Sequence, residues 1–221
     1  MSSGLLEVAS PALVVYGAGG FAREVAWLAE SCPEVGDVVA MIDDDPARHG
    51  SHVNGVPVFG LAEAREAFPT ARMVIGIGSP QHRQATAARA AAAGFAFASL
   101  VHPRVERSRW IEIGEGAVIC AGNILTTNIR IGRQVQINLA CTVGHDVDIG
   151  DFATLAPGVN CSGRVRIGAR AYIGTNASII NGEADRPLVI GDDAVIGAAA
   201  CVTRDVAAGT TVVGVPARPR G

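Results

Sequence analysis

Two hydrophobic periods divide the chain near residue 100. In the first part, short apolar runs alternate with helical patterns. Leu13-Val14-Val15-Tyr16 has the pattern of a buried strand and runs into a glycine turn, after which Phe21, Val25 and Leu28 recur at helical spacing. Val38 to Ile42 predicts a second strand, ended by Asp43-Asp44-Asp45-Pro46. A helix around Leu61 to Phe68, a strand at Met73 to Ile77 and a helix from about Gln81 to Ala93, stopped by Gly94, complete this part. Alternating strand and helix implies an α/β unit with a small parallel sheet and right-handed crossovers.

From Ile111 onward the helical signal vanishes. Stepping by six from Ile113 meets Ile119, Leu125, Ile131, Ile137, Val143, Ile149, Leu155, Cys161, Ile167, Ile173 and Ile179, all apolar. Two residues before these positions the chain is usually small or β-branched, as at Ala117, Ile129, Val135, Cys141, Val147 and Ala153. Glycine often follows, at Gly114, Gly132, Gly150 and Gly168, which lie 18 apart. After an irregular stretch, Asn181 to Val189, the register restarts at Ile190, Ile196 and Val202. Such a pattern predicts a coil with three flat faces, one apolar residue pointing inward on each, and glycine or another small residue letting the chain turn at the corners. Eighteen residues close one triangular coil, and successive coils bury each other's interiors by parallel pairing. The change of period sets two expected domains, 1–101 and 102–221.

Composition fits that picture. The 221 residues are 49% hydrophobic but only 5% aromatic, with 27 glycines, and a narrow prism has no room for rings. Drawn independently at 49% hydrophobic, the twelve-position run would arise about once in 5,000 trials, so the repeat is real. The net charge of −3 and the lack of any Lys/Arg-rich run exclude the electrostatic footprint of a nucleic-acid or anionic-membrane partner. The N-terminus has no basic leader pattern, and the alanine-rich run Ala90 to Val101 falls short of the roughly 20 residues of a spanning helix, so a soluble cytoplasmic protein is expected. Five cysteines without a Cys-x-x-Cys read as small buried hydrophobes.

Two places carry chemistry. Gly17-x-Gly19-x-x-Ala22 lies between a strand and a helix, where phosphates can approach backbone N–H groups; a dinucleotide and a sugar nucleotide fit equally. Asp43 and Asp44 end the second strand, where a carboxylate can accept from a ribose hydroxyl. About 100 residues followed directly by the repeat leave no room for a hydride-transfer domain. In the repeat, His145 is the single histidine after residue 103, so a zinc site of three histidines is not supplied and no metal is expected. Asp146 follows it. Neighbours on a straight strand point to opposite faces, so the pair couples only where the backbone bends, which Gly144 permits. Stacking at 18 puts His145 between Thr127 and Gly163, whose small size leaves a groove along that edge.

The hexapeptide pattern resembles the left-handed parallel β-helix of the hexapeptide acyltransferases. Gly214-Val215-Pro216-Ala217-Arg218 is similar to their C-terminal signature, and Val143 to Phe152 resembles their catalytic segment. With Tyr16 to Ala22 added, the chain resembles the two-domain subgroup that acetylates nucleotide-linked amino sugars, to which sialic acid O-acetyltransferases are related. The resemblance implies His145 as general base, Asp146 as its orienting acid, and acetyl-CoA contacts at Thr154, Gly163, Thr175 and Ala198. It further implies a nucleotide-sugar site at Gly19, Gly20, Phe21, Asp43, Asp44 and Gly78, with Asn138 also on the substrate, and a homotrimer with active sites between subunits. Threonine at 154 and phenylalanine at 21 stand where some relatives carry histidine. The expected reaction is acetyl-CoA-dependent N-acetylation of a nucleotide-linked 4-amino-4,6-dideoxy sugar by direct attack. Sugar O-acetylation and a non-catalytic nucleotide-sugar-binding scaffold are the alternatives.

Overall fold

The computed structural model describes residues 11–220; the outermost parts of the two expected domains, 1–10 and 221, lie outside the described residues. The N-terminal unit runs β1 (Ala12–Tyr16), α1 (Gly20–Glu30), β2 (Asp37–Ile42), β3 (His52–Val53), β4 (Val56–Phe59), α2 (Leu61–Ala67), β5 (Arg72–Ile75) and α3 (Pro80–Ala92). Its sheet has the order β3-β4-β2-β1-β5, parallel except for the β3–β4 pairing. Leu13 and Val15 face α1, while Val14 and Tyr16 face the residues of α2 and α3. Burial on both faces is why β1 reads as one unbroken apolar run. The β3–β4 hairpin is absent from the sequence expectation. It turns at Asn54-Gly55, both at positive φ (50° and 82°), the geometry of a two-residue hairpin turn.

The second unit is a left-handed parallel β-helix that starts at Leu100, since Leu100–Val101 already pairs with Val118–Ile119. Among the described residues its faces are sheets of eight, six and five strands. The first face contains Gln136–Ile137 and Thr154–Leu155, the second Thr142–Val143 and Asn160–Cys161, the third Asp148–Ile149 and Val165–Ile167. Every sixth-position residue from Ile119 to Ile179, and then Ile190, Ile196 and Val202, is at most 3% exposed. Asn123 takes one inward slot where the rule predicts a small or β-branched residue. It holds the Cys120 and Ile137 carbonyls and accepts the Cys141 N–H, so its buried amide is satisfied.

The corners correct one expectation. The 18-residue glycines do not supply the turn. Left-handed backbone falls two residues later, on Gln134, Phe152 and Arg170, at φ 56°, 62° and 59°. The glycines are there because coils stack closely: a Cβ on Gly150 would stand 2.6 Å from the Ala169 nitrogen, and one on Gly114 2.6 Å from that of Arg133.

Along the outside of the third face, Glu112, Arg130, Asp148 and Arg166 stack in register with alternating sign. Arg130 lies 3.1 Å from Glu112, and Asp148 lies within 4.0 Å of both arginines. The irregular stretch is an insertion at the corner between second and third faces, which returns to register when Leu188 pairs with Val165. The N-terminal unit sits on the first face: Gln136 donates to the Ile75 carbonyl, and Phe152 joins the cluster that contains Phe95.

Candidate active site

The chain passes from second to third face through residues 144–147. Asp146 makes the turn in its own left-handed conformation, φ 57°, which swings its carboxylate back onto the preceding side chain. His145 Nδ1 then lies 2.8 Å from Asp146 Oδ2. Gly144 does not make the bend as expected; a Cβ there would stand 2.6 Å from the Gly163 nitrogen, so its role is close stacking. Asn128, one coil below, donates from Nδ2 to Asp146 Oδ1 at 3.1 Å. Hydrogen bonds from His145 and then Asn128 hold the Asp146 carboxyl below the usual carboxylate range. An ionised carboxylate only accepts, so Nδ1 of the neutral imidazole carries the proton and Nε2 is left as an open base. The ring is about half exposed and lies over Gly163, where a Cβ would stand 2.7 Å from Nε2.

A second cluster forms at the carboxyl ends of the N-terminal sheet. Strands leave β1 in opposite directions, toward β2 and toward β5, and open α/β sheets bind ligands at such a switch point. The turn after β1 (Gly17, φ 116°) packs so tightly on the turn after β5 that a Cβ on Gly17 would touch the Gly76 carbonyl at 3.0 Å. Above this shared rim, Gly19 and Gly78 face open space, with nothing within 4 Å of a Cβ on either. Gly19 caps α1 without a side-chain hydrogen bond and with no acidic residue in the first turn, so the N–H groups of Gly20, Phe21 and Ala22 point outward, ready for an anion.

Asp43 and Asp44 flank this rim but are tied to cations of their own unit. Asp43 pairs with Arg48 at 2.6 Å and accepts the Asp45 N–H, and Arg48 reaches on to the Ala18 carbonyl. Asp44 accepts from the Tyr16 hydroxyl and from Arg89, both at 2.7 Å. Burial pushes the Asp44 carboxyl up, but the bonds from Arg89 and Tyr16 outweigh it and hold it below its ordinary value. The Tyr16 hydroxyl is pushed well up, by burial first and by Asp44 second.

The remaining expected residues are scattered over the prism. Asn138, Thr175 and Ala198 lie at the corner between first and second faces, with Thr175 accepting the Ala199 N–H at 2.8 Å. Asn138 Oδ1 is shielded and has no hydrogen-bond partner among the described residues. Thr154 lies on the first face beneath the N-terminal unit, 1% exposed, its hydroxyl donating to the Gly78 carbonyl and accepting from Arg83. It is therefore spent inside the molecule, not open to a thioester as expected. One chain thus brings His145, Asp146 and Gly163 together at one edge and Thr175 and Ala198 together at another. Asn128, Arg48 and Arg83 were missed. Only Asn128 had a signal, its spacing of 18 from Asp146.

Cys120, Cys141 and Cys161 are buried, and burial pushes their thiols to about 12, 11 and 12, far from thiolate character. Among the described residues no three His, Cys, Asp or Glu side chains cluster to hold a metal ion, and no helix is long and apolar enough to cross a membrane.

Residues 12–90 match the PglD N-terminal domain family. GDP-perosamine N-acetyltransferase of Escherichia coli O157:H7 is 35% identical over 207 residues, which cover 92% of this chain and 94% of that protein. The crystal structure of PerB from Caulobacter crescentus, in complex with CoA and GDP-perosamine, superposes with a TM-score of 0.86 at 32% identity, over 96% of this chain and 99% of that one. The acetyltransferase domain of PglB from Neisseria gonorrhoeae, in complex with acetyl-CoA, gives 0.85 at 32% identity, over 96% and 100%.

Proposed function

The chain belongs to the hexapeptide-repeat N-acetyltransferases of nucleotide-linked amino sugars, and from that premise we propose that it acetylates the 4-amino group of a nucleotide-linked 4-amino-4,6-dideoxy sugar. Acetyl-CoA is the acyl donor. The nucleotide lies over the Gly19–Phe21 and Gly78 rim, its diphosphate on the outward N–H groups of α1 and its ribose toward Asp43 and Asp44. The sugar amine attacks the thioester carbonyl while His145 Nε2 takes its proton. Asp146 holds the tautomer and stabilises the imidazolium, which returns the proton to the departing CoA sulfur. No acyl-enzyme is needed, in keeping with the buried thiols of Cys120, Cys141 and Cys161.

The partition of the expected contacts between two edges supports a shared site. In a homotrimer, the His145 edge of one copy meets the Asn138, Thr175 and Ala198 edge of its neighbour, and the pantetheine arm lies between them past Gly163. We place the reaction in the cytoplasm, where acetyl-CoA and nucleotide sugars are available.

The observation that carries this reading is the 2.8 Å bond that leaves Nε2 as an open base. His145→Ala should lower acetyl transfer by about 10²–10⁴-fold, the size of a general-base effect, with acetyl-CoA binding intact. A panel of amino and hydroxy sugars linked to GDP, UDP and dTDP, with released CoA as readout, should give an alkali-stable amide. An alkali-labile ester would indicate sugar O-acetylation, and no CoA release with any acceptor would leave a scaffold.

A further inference from the structure

Arg83, on α3, is fully buried, yet among the described residues it has no carboxylate partner. Its Nε donates to the Gln134 carbonyl at 2.9 Å. Nη1 reaches the carbonyls of Ile77 (2.8 Å) and Gly78 (3.1 Å) and Gln136 Oε1 (2.8 Å). Nη2 reaches the carbonyls of Phe152 (2.6 Å) and Ala153 (3.2 Å) and the Thr154 hydroxyl (2.9 Å). All seven acceptors are neutral. Burying a cation without a counter-ion is costly, and removing such a group's partners strands it further. Burial lowers its pKa to about 9, still above neutral, so the charge is present under physiological conditions.

Two consequences follow from where this charge sits. Ile77 and Gly78 belong to the turn after β5; the other five acceptors belong to the β-helix. A single planar group therefore sets the turn's position on the prism. Gly78, whose carbonyl it grips on the buried side, faces open space on the side where a Cβ would stand, so an anion seated on that turn would supply the opposite charge that Arg83 lacks.

We propose that Arg83 is a positioning residue for the nucleotide sugar: it locks the Gly78 turn to the β-helix, and its unpaired charge draws the substrate diphosphate onto that turn. The proposal rests on the assignment of this rim to a nucleotide sugar. Gln136→Glu places a carboxylate 2.8 Å from Nη1 but also removes the N–H that holds the Ile75 carbonyl, so Gln136→Met, which loses that bond without adding charge, is its control and should keep the diphosphate Kd within about threefold of wild type. Calorimetry with GDP, UDP and dTDP alone first identifies the diphosphate that the wild-type protein binds. For a Gln136→Glu protein that remains folded, the Kd of that diphosphate should rise about tenfold, the effect of one charge acting through protein of intermediate dielectric. The KM for nucleotide sugar should rise equally, with the KM for acetyl-CoA unchanged. Arg83→Lys, which keeps the charge but not the fork, should hold the diphosphate Kd within about threefold while kcat falls about tenfold through lost positioning. An unchanged Kd in Gln136→Glu overturns the role of the charge, and an unchanged kcat in Arg83→Lys overturns the positioning. Failure of the wild-type protein to bind any diphosphate removes the nucleotide-sugar assignment itself, and this proposal with it.

Discussion

The imidazole of His145 rests on the bare α-carbon of Gly163, one coil above, at a distance no larger residue would permit. Gly163 is not in a left-handed conformation, so alanine is compatible with its backbone. The added methyl would stand 2.7 Å from Nε2 and must push the ring aside. Gly163→Ala should lower kcat about 10²-fold, the scale of a misplaced catalytic group, with little change in melting temperature. Wild-type kcat in that variant would show that the ring position is unimportant.

Gly19 and Gly78 make the opposite case. A methyl on either meets no protein atom within 4 Å, and neither has positive φ. Gly19→Ala and Gly78→Ala should therefore fold and melt as the wild type does, yet bind the nucleotide sugar at least about tenfold more weakly. Calorimetry on the two variants checks this; unaltered affinity in both would move the ligand elsewhere.

Coil stacking predicts a reversal of the usual glycine rule. Gly150→Ala should destabilise the fold by about 1–3 kcal/mol, the range for overpacking a filled interior. Ala140 is exposed with φ 58°, so Ala140→Gly should stabilise by about 1 kcal/mol by relieving left-handed strain. Urea denaturation of both variants reads the two signs directly.

Asp44 supplies a pH-dependent contribution to stability. Its carboxyl is held below the ordinary value of 3.8, chiefly by Arg89 and Tyr16 working against burial. A group with a lowered native pKa stabilises the fold above its unfolded value, and the contribution fades as pH falls through the native one. Asp44→Asn should cost about 2 °C in melting temperature at pH 7, as expected for a part-exposed pair. At pH 3 the difference should narrow. A gap of equal size at both values would mean that the carboxylate charge is not what matters.

The β-helix is legible because its inward slots admit little besides small and branched apolar residues, and the hexad rule repeats that constraint from Ile113 to Val202. The β3–β4 hairpin escaped because strands of two and four residues are too short for alternation to register, although Asn54-Gly55 marks its turn. His145 and Asp146 are visible as adjacent residues. Their partner Asn128 becomes visible only once coils are stacked. Arg83 leaves no trace at all: an arginine on a helix ordinarily reads as solvated surface, and five of its seven bonds go to backbone carbonyls, which carry no sequence pattern. The role of Gly144 was misread for a related reason. Sequence shows where a side chain is missing, but whether its absence frees a torsion or clears space depends on the coil above.

The file Glu112, Arg130, Asp148, Arg166 restricts how the stem can change length in evolution. Loss of the single coil that carries Arg130 would set Glu112 against Asp148, and duplication of that coil would set arginine against arginine; like charges directly opposite on paired strands repel. Gain or loss of two coils at a time preserves the alternation. Along this face, lengths that differ by an even number of turns are the accessible neighbours of the present one.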